Sequence, residues 1–134
     1  MLFRSYDADA SVPRPAYCTA MGRVLLAFRP LKVQERYLKK APFPKLTPAS
    51  LTSATALRKR LAHARKAGLE TVFEEFSLGG SGAAVALRNA HGEVVAALNV
   101  ATVTSRFQAR QHLILQELQR TADRISEQIG RAHV

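Results

Sequence analysis

The stretch that decides the fold is PAYCTAMGRVLLAF, which runs from Pro15 to Phe28. Cys18 and Thr19 lie where a helix is expected to begin, and a side-chain oxygen there can accept a hydrogen bond from an otherwise unpaired backbone N–H. Apolar residues then recur at helical spacing and predict a buried side; these are Val24, Leu25 and Phe28. The stretch therefore predicts a first helix over residues 17–28.

Small residues crowd the start of this helix. Ala20 and Gly22 flank Met21, and small residues let another backbone or a small molecule approach closely. The unpaired N–H groups at a helix start form a natural binding site for a carboxylate. Two interpretations stay open from these residues: a seat for an anionic ligand, or a core helix whose first turn is tightly packed.

The composition indicates one globular domain. The chain has 134 residues, of which 47% are apolar, so it can bury one sizeable core. Its single cysteine excludes an internal disulfide and a cysteine-built metal site. No apolar run approaches the roughly 20 residues that cross a bilayer, and no signal peptide is evident. We therefore expect a soluble, cytoplasmic protein with no membrane partner.

The chain is strongly basic, with a formal net charge of +10 from 20 Lys and Arg against 10 Asp and Glu. Such a balance favours an acidic partner, above all nucleic acid. The basic residues are nevertheless spread over several predicted helices, and there is no tryptophan to stack on bases. Solvated helix faces are therefore favoured over a nucleic-acid groove.

Proline and glycine divide the next part of the chain. A short second helix is predicted over residues 31–40, and residues 41–50 are expected to be irregular because they contain three prolines. Ser53 is a suitable N-cap for a third helix that ends near Ala67, where Gly68 stops it.

The pattern then changes from helical to alternating and predicts strands over residues 70–76, 83–88 and 93–102. The glycine-rich segment LGGSGAA, residues 78–84, connects the first two strands, and NAHG, residues 89–92, forms a tight hairpin turn between the last two. A long C-terminal helix is expected from its cap Ser105 to about Ile129.

Three helices, three strands and a final helix are typical of an α+β domain, in which helices pack against a small antiparallel sheet. The last strand is strongly apolar, so it is expected to have neighbours on both sides. This combination predicts a domain that lacks part of its sheet or is completed by another chain.

No residue pattern supports catalysis. Cys18 is the single thiol, and none of the four histidines has a context that would orient it as a base; a buried, unreactive cysteine is favoured. The adjacent carboxylates Glu74 and Glu75 point to opposite faces of a strand and cannot form a close catalytic pair. Metal-ligand spacing is absent. The sequence therefore predicts a protein that is not an enzyme and uses no cofactor or metal.

Two further features leave alternatives open. Asn99 interrupts the apolar run AALNVAT, and a buried amide needs partners, either backbone groups or a ligand in a mostly apolar pocket. The segment Gly79–Gly82 lacks the Lys-Ser/Thr ending of a phosphate loop and precedes a strand. It is interpreted as a flexible turn or bulge unless a ligand lies beside it.

Several motifs occur in a recognisable order. They are PAYCTAMGRVLLA, Leu-Thr-Pro at 46–48, Ala-Gly-Leu at 67–69, Glu-Glu at 74–75, the glycines from Gly79, GEVVAALNV at 92–100 and Ser-Arg at 105–106. The set resembles the effector-binding domain of the isocitrate-lyase-regulator (IclR) family of bacterial transcription factors, over about Pro15 to Ile129. The Tyr-Cys-Thr-x-Met-Gly-Arg form of the first motif is similar to the branch that regulates aromatic-acid breakdown (protocatechuate, 4-hydroxybenzoate and β-ketoadipate pathways).

The resemblance implies a GAF-like fold, homodimers that pair into tetramers, and a small organic acid as effector. It implies that DNA is bound only through a helix-turn-helix domain, which is absent from these residues, as are the first helix and strands that normally precede Pro15. It also implies a pocket at the start of the first-motif helix and along the inner sheet. Carried over from the family, the pocket lining includes Ala20, Met21, Val72, Gly80, Gly82, Asn99 and Ala101, to which the helix start adds Cys18, Thr19 and Gly22.

We therefore expect a loop or upstream remnant over residues 1–14, the effector-binding domain over 15–130 and a tail over 131–134. The expected function is ligand sensing and oligomerisation in a bacterial transcriptional regulator, with a small, preferably aromatic, acid as ligand. Two alternatives stay open. Gly80 and Gly82 depart from the family pattern and would fit an oligomerisation module with a degraded pocket, and the basic surface would fit a nucleic-acid-binding domain.

Overall fold

The computed structural model of the chain describes residues 14–132. Its elements follow in this order: a 3₁₀ turn Ala16–Cys18, α1 Ala20–Ala27, α2 Leu31–Leu38, α3 Ala54–Ala67, β1 Leu69–Phe73, β2 Gly80–Arg88, β3 Val94–Val103, α4 Thr104–Ala109 and α5 Gln111–Ala132. The expectations for residues 1–13 and for the last two residues of the tail lie outside the described residues. The mixed helical and antiparallel architecture expected from the sequence is confirmed.

The three strands form one antiparallel sheet in the order β1-β2-β3. The predicted hairpin between β2 and β3 is present: the Asn89 N–H donates to the Glu93 carbonyl at 2.9 Å, and Gly92 has a φ of 77°. β2 is buried along almost its whole length because it lies between two strands and two helical layers. β3 lies at an edge, and Val95 on it is 53% exposed.

Helices cover both faces of the sheet. On one face α4 and α5 pack against Ala83, Val85 and Leu87 through Phe107, Leu118 and Ala122. On the other face α1 packs through Ala20 and Val24 against Val72, Ala84 and Ala86. A separate cluster joins α1, α2 and α3 outside this layer. Side chains alternate along β2, so its odd-numbered residues face α5 and its even-numbered residues face α1.

α3 follows its sequence signals closely. The Ser53 hydroxyl oxygen accepts from the Ala56 N–H at 3.1 Å, and Gly68 adopts a φ of 67° while its N–H donates to the Ala64 carbonyl at 2.8 Å. These are the N-cap and the left-handed C-terminal glycine expected at its ends. Its residues Leu57, Leu61 and Ala64 recur at helical spacing and are all buried.

The glycine-rich connection is shorter than the sequence predicts. β1 ends at Phe73, and β2 begins at Gly80 rather than near Ala83. Gly80–Gly82 are therefore strand residues and not a turn. Gly82 pairs with Val72 on one side and Ala101 on the other, so two ladders of hydrogen bonds outweigh the low strand propensity of glycine.

The final helix also differs from its prediction. It begins at Thr104, so Ser105 lies inside the helix instead of capping it, and it is divided at Arg110 into α4 and α5. The start is shifted because the Thr104 N–H donates to the Gly79 carbonyl at 2.7 Å, and its hydroxyl lies 2.8 Å from the Ser81 hydroxyl. α5 then continues to Ala132, and its apolar side packs towards the sheet.

One apolar position of α1 is not buried as expected. Val24 is fully buried, but Leu25 is 38% exposed, like Met21 four residues earlier. Residues four apart share one side of a helix, so α1 has one partly uncovered apolar side. Among the described residues, no helix combines the length and hydrophobicity needed to cross a bilayer.

Candidate functional site

The start of α1 is held by a hydrogen-bonded turn. Thr19 is the N-cap, and its hydroxyl oxygen accepts from the Gly22 N–H at 3.2 Å and donates to the Pro15 carbonyl at 2.9 Å. A Cβ on Gly22 would lie 2.6 Å from both the Ala16 Cα and the Thr19 hydroxyl oxygen. The small size of Gly22 is therefore required by the preceding turn of the same chain.

Two backbone amides remain at this helix end. The N–H groups of Ala20 and Met21 are the first two of α1 and have no acceptor within the helix, whereas the Thr19 side chain already satisfies Gly22. The first turn contains no acidic side chain, so the positive end of the helix dipole is not neutralised there. Within residues 14–132, the geometry leaves two donors for an anion.

Six of the ten predicted site residues lie close together: five are on the same face of the sheet, and the sixth is on the side of α1 that packs against that face. The strand register aligns Val72 with Gly82 and Gly82 with Ala101, and it aligns Ala84 with Asn99 in the next row. Gly80 stands two residues along β2 on the same face. Ala20 belongs to the cluster that contains Val72 and Ala84, so the helix start and these rows adjoin.

Asn99 differs from its expected environment. It was expected to be a buried amide, but Asn99 and Ala101 are both exposed. Both lie on β3, which is an edge strand of this sheet, and the β3 residues that pack against the cluster of Ala20 and Val24 are Val94 and Ala97. The amide therefore faces an open part of the sheet and needs no buried partner.

Cys18 is separated from the other candidate residues. It is fully buried in the cluster with Tyr17, Phe43 and Leu57, away from the sheet. Burial raises the pKa of its thiol to about 11, so the thiol is neutral and unreactive at physiological pH. The prediction that the cysteine is buried is confirmed, and its lack of reactivity stays a prediction.

A buried ionic cluster beside α1 was not predicted. Arg23 is 1% exposed; its guanidinium donates to the Tyr17 carbonyl at 2.7 Å and to Glu75 at 3.1 Å, and it lies 3.4 Å from Glu70. Glu70 is fully buried and also accepts from Arg60 at 3.1 Å. The partners lie far apart in sequence, so no local spacing signals this cluster.

The same region is fixed from the other side by the Leu-Thr-Pro segment. Thr47 donates to the Glu74 carbonyl, and the Ser50 hydroxyl donates to the Glu75 carbonyl at 2.7 Å. Glu74 has a φ of 55°, which is uncommon for a residue other than glycine. These bonds hold the exit of β1 and, through Arg23, the start of α1.

In the described residues 14–132, no group of three or more His, Cys, Asp or Glu residues could hold a metal ion. His63, His91 and His112 are exposed, and the two carboxylates near Arg23 are occupied by guanidinium groups. The site is therefore suited to binding through amides and small apolar residues.

Comparison with known proteins places the chain among transcriptional regulators. Residues 11–127 match the family model described as bacterial transcriptional regulator IclR C-terminal. The chain is 34% identical over 119 residues to the DNA-binding transcriptional repressor YiaJ of Escherichia coli, covering 87% of this chain and 42% of that protein. It spans less than half the length of the curated relatives it matches.

Two solved structures with bound hydroxybenzoates are similar to this fold. An IclR homolog from Microbacterium hydrocarbonoxydans complexed with 4-hydroxybenzoate aligns with a TM-score of 0.83 at 30% identity, over 93% of this chain and 50% of that one. The PobR inducer-binding domain from Acinetobacter, a double mutant complexed with 3-hydroxybenzoic acid, aligns with a TM-score of 0.77 at 31% identity, over 84% of this chain and 66% of that one. The matched proteins are transcriptional regulators and not enzymes. This chain belongs to the IclR family, and its residues 11–127 correspond to the C-terminal, effector-binding domain of that family.

Proposed function

We propose that this domain senses a small organic acid, with aromatic carboxylates as the favoured class, for a bacterial transcriptional regulator. The acid binds between the start of α1 and the open part of the sheet. The observation that carries the proposal is the position of Ala20, the first residue of α1, in one cluster with Val72 and Ala84. The helix start is thereby held beside a sheet face built from small residues.

The carboxylate is the group that the helix end would bind. The amides of Ala20 and Met21 point out of the first turn, and the helix dipole favours negative charge there by about 0.3–1 kcal/mol, or up to about 2 kcal/mol when partly buried. No acidic side chain in that turn competes with the ligand.

The sheet would bind the ring. Gly82 beside Ala101 and Ala84 beside Asn99 form two rows of small side chains, which leave a flat surface for an apolar body. The Asn99 amide can both donate to and accept from a ring hydroxyl. The hydroxybenzoates bound by two structural neighbours support the same class of ligand.

Isothermal titration with 4-hydroxybenzoate, protocatechuate, benzoate, pyruvate and glyoxylate tests the proposal. We expect the aromatic acids to bind more tightly than the two keto acids. Asn99→Ala should weaken 4-hydroxybenzoate about fivefold, the equivalent of one hydrogen bond of about 1 kcal/mol, and leave benzoate unchanged. Gln116→Ala removes an exposed amide from α5 on the opposite side of the sheet and serves as the control. Absence of heat with every acid would refute the sensor.

A second candidate function, oligomerisation without a ligand, is favoured by the edge position of β3. Val95 on β3 and Leu25 on α1 are exposed apolar residues, and edge strands offer backbone groups to another chain. Light scattering with and without the acids separates the two functions. A sensor changes its assembly or its dissociation constant when acid is added, whereas a pure oligomerisation module does not.

A further inference from the structure

The net positive charge of the chain comes from one segment. Residues 29–66 contain 11 of the 20 Lys and Arg residues but a single acidic residue, Glu35, out of ten. The remainder of the chain holds nine basic and nine acidic residues and is therefore balanced. A segment whose charges have a single sign favours association with an acidic partner.

The fold brings this charge onto one surface. α2 and α3 are neighbours: Arg58 on α3 donates two hydrogen bonds to Glu35 on α2, at 3.1 and 3.0 Å. Arg65 near the end of α3 and Gln34 on α2 both donate to the Ala27 carbonyl, at 3.2 and 3.0 Å, which fixes the two helices to the end of α1. The sequence spreads these basic residues over separate helices, and the structure packs those helices side by side.

We name the exposed cations of these helices, apart from Arg58, the basic layer; it comprises Lys32 and Arg36 on α2, Lys39 at the C-cap of α2, and Lys59, Arg65 and Lys66 on α3. Lys32, Arg36 and Lys39 recur at helical spacing, and Lys39 keeps a helical backbone conformation, so the three share one side of α2 and its C-cap. Glu35 is already paired with Arg58 and cannot neutralise the rest. The hydrogen bond from Arg58, with a smaller contribution from the charge of Lys39, holds the pKa of the Glu35 carboxyl below its usual value, so the carboxylate stays charged and paired.

We propose that the basic layer binds the phosphate backbone of duplex DNA without reading its sequence. α3 has 14 residues and is about 21 Å long, and a duplex carries one negative charge per roughly 1.7 Å of axis. A duplex lying along the layer would therefore present about a dozen phosphates to it. The single sign of the charge and the length of the layer both fit a polyanion with regularly spaced charges.

The aromatic residues of this region favour a duplex over a single strand. Single-stranded nucleic acids bind through exposed rings on which bases stack. Here Tyr37 and Phe43 stack on each other with ring centroids 5.4 Å apart, and Phe43 also stacks on Tyr17 at 4.8 Å. These rings form the interior of the layer and are not offered to bases.

The basic layer is separate from the proposed acid-binding site. α3 packs on α1 and on β1, one edge of the sheet, whereas Asn99 and Ala101 lie on β3, the other edge. DNA binding by the layer can therefore succeed or fail independently of acid binding.

Fluorescence anisotropy with a labelled duplex of arbitrary sequence tests the proposal. If about five phosphates are engaged, log K falls with log[salt] with a slope of about −4.5, so raising salt from about 50 to about 200 mM weakens binding roughly 500-fold. The variant Lys32→Gln/Lys39→Gln/Lys59→Gln/Lys66→Gln is expected to lose at least tenfold in affinity at the lower salt and to reduce the magnitude of the slope by about three.

The control variant is Arg106→Gln/Arg110→Gln/Arg120→Gln/Arg124→Gln. It also removes four positive charges, from exposed positions on α4, on α5 and at Arg110 between them. The two variants therefore have equal net charge and differ in the surface from which the charge is removed. We expect the control to bind within about twofold of the parent chain, and circular dichroism to show that both fold.

Several outcomes would overturn the proposal: no binding at the lower salt, a slope near zero, or an equal loss in both variants. Tighter binding of a single strand of equal length would exclude the duplex. Equal affinity for poly-glutamate would indicate an acidic protein surface as the partner instead.

Discussion

Arg23 and Glu75 form a buried ion pair although they are 52 residues apart in the sequence. The pair joins the first turn of α1 to the segment that follows β1. Arg23 also donates to the Tyr17 carbonyl, so one side chain fixes the 3₁₀ turn, α1 and the exit of β1 together. The position of the proposed ligand amides therefore depends on a charge that no local pattern reveals.

Replacement of Arg23 by methionine should be severely destabilising. The variant keeps the aliphatic volume but removes the guanidinium group beside two glutamates. These are Glu70, which is fully buried, and Glu75. Removing one partner of a buried pair costs about 3–5 kcal/mol of unfolding free energy, to be measured by urea denaturation. Arg58→Met, which breaks the exposed pair with Glu35, is the control and should leave the midpoint almost unchanged. Similar losses in both variants would refute this account.

The Cys18 thiol should resist modification until the domain unfolds. Its pKa of about 11 leaves roughly one thiolate in a thousand at pH 8, and the side chain is fully buried. A thiol reagent at pH 8 should therefore react at the rate of unfolding, and urea should accelerate the reaction strongly. Rapid stoichiometric labelling of the folded chain would contradict the structure.

The same thiol should make stability depend on pH in the alkaline range. The pKa is raised in the folded state from its ordinary value of 9.0 to about 11, so the unfolded chain loses the proton first. The stabilising contribution is complete below pH 9 and is lost as the pH rises towards 11. Cys18→Ala should show a shallower fall in urea midpoint between pH 8 and 10. The readout is the difference between the two proteins in the slope of urea midpoint against pH. Tyr17 and Tyr37 also have raised pKa values, but they contribute equally in both proteins.

Gly82 and Gly130 should respond oppositely to alanine. A Cβ on Gly82 would lie 2.6 Å from the Val100 carbonyl oxygen, so Gly82→Ala must displace β3 and should cost about 1–3 kcal/mol. At Gly130 in α5 the nearest atom to an added Cβ is 3.9 Å away, and alanine is favoured over glycine in helices by about 0.8–1 kcal/mol. Thermal unfolding should show Tm lowered by the first change and raised by the second; a stabilising Gly82→Ala would show that β2 and β3 are not so closely paired.

The parts of the fold that the sequence predicted are those with local causes. Ser53 and Gly68 bound α3 because a cap and a left-handed glycine act within a few residues of the helix end. The β2–β3 hairpin likewise follows from Asn89 and Gly92. Gly80 could not be assigned to a strand from its propensity, because its conformation is imposed by pairing with Val103 on the neighbouring strand.

In the candidate site too, features with local causes are predictable from the sequence, whereas features set by tertiary packing are not. The sequence offers Cys18 and Thr19 at the helix start, and the structure makes Thr19 the cap, because its hydroxyl accepts from the Gly22 N–H. The exposure of Asn99 depends on which strand lies at the sheet edge, and an apolar strand pattern does not contain that information. The depth of Cys18 agrees with the general burial of free cysteine, but its separation from the sheet depends on how α1 packs against α3.

Two N-caps of similar geometry allow the acid-binding proposal to be separated from simple stability. Thr19 caps α1 by accepting from Gly22 at 3.2 Å, and Ser53 caps α3 by accepting from Ala56 at 3.1 Å. Replacing either with alanine should lower the unfolding free energy by about 1 kcal/mol. Only Thr19→Ala should weaken binding of 4-hydroxybenzoate, because only the start of α1 supplies the proposed amides.

Thr19→Ser provides the third member of this series. Serine keeps the hydroxyl that accepts from Gly22 and donates to Pro15, so it should restore both stability and affinity. Calorimetric titration at a temperature where all three variants are folded measures the affinity, and urea denaturation measures the stability. Equal acid affinity in Thr19→Ala and Ser53→Ala would mean that the amides of Ala20 and Met21 do not hold the carboxylate, since loosening their helix end would then have no effect on the ligand.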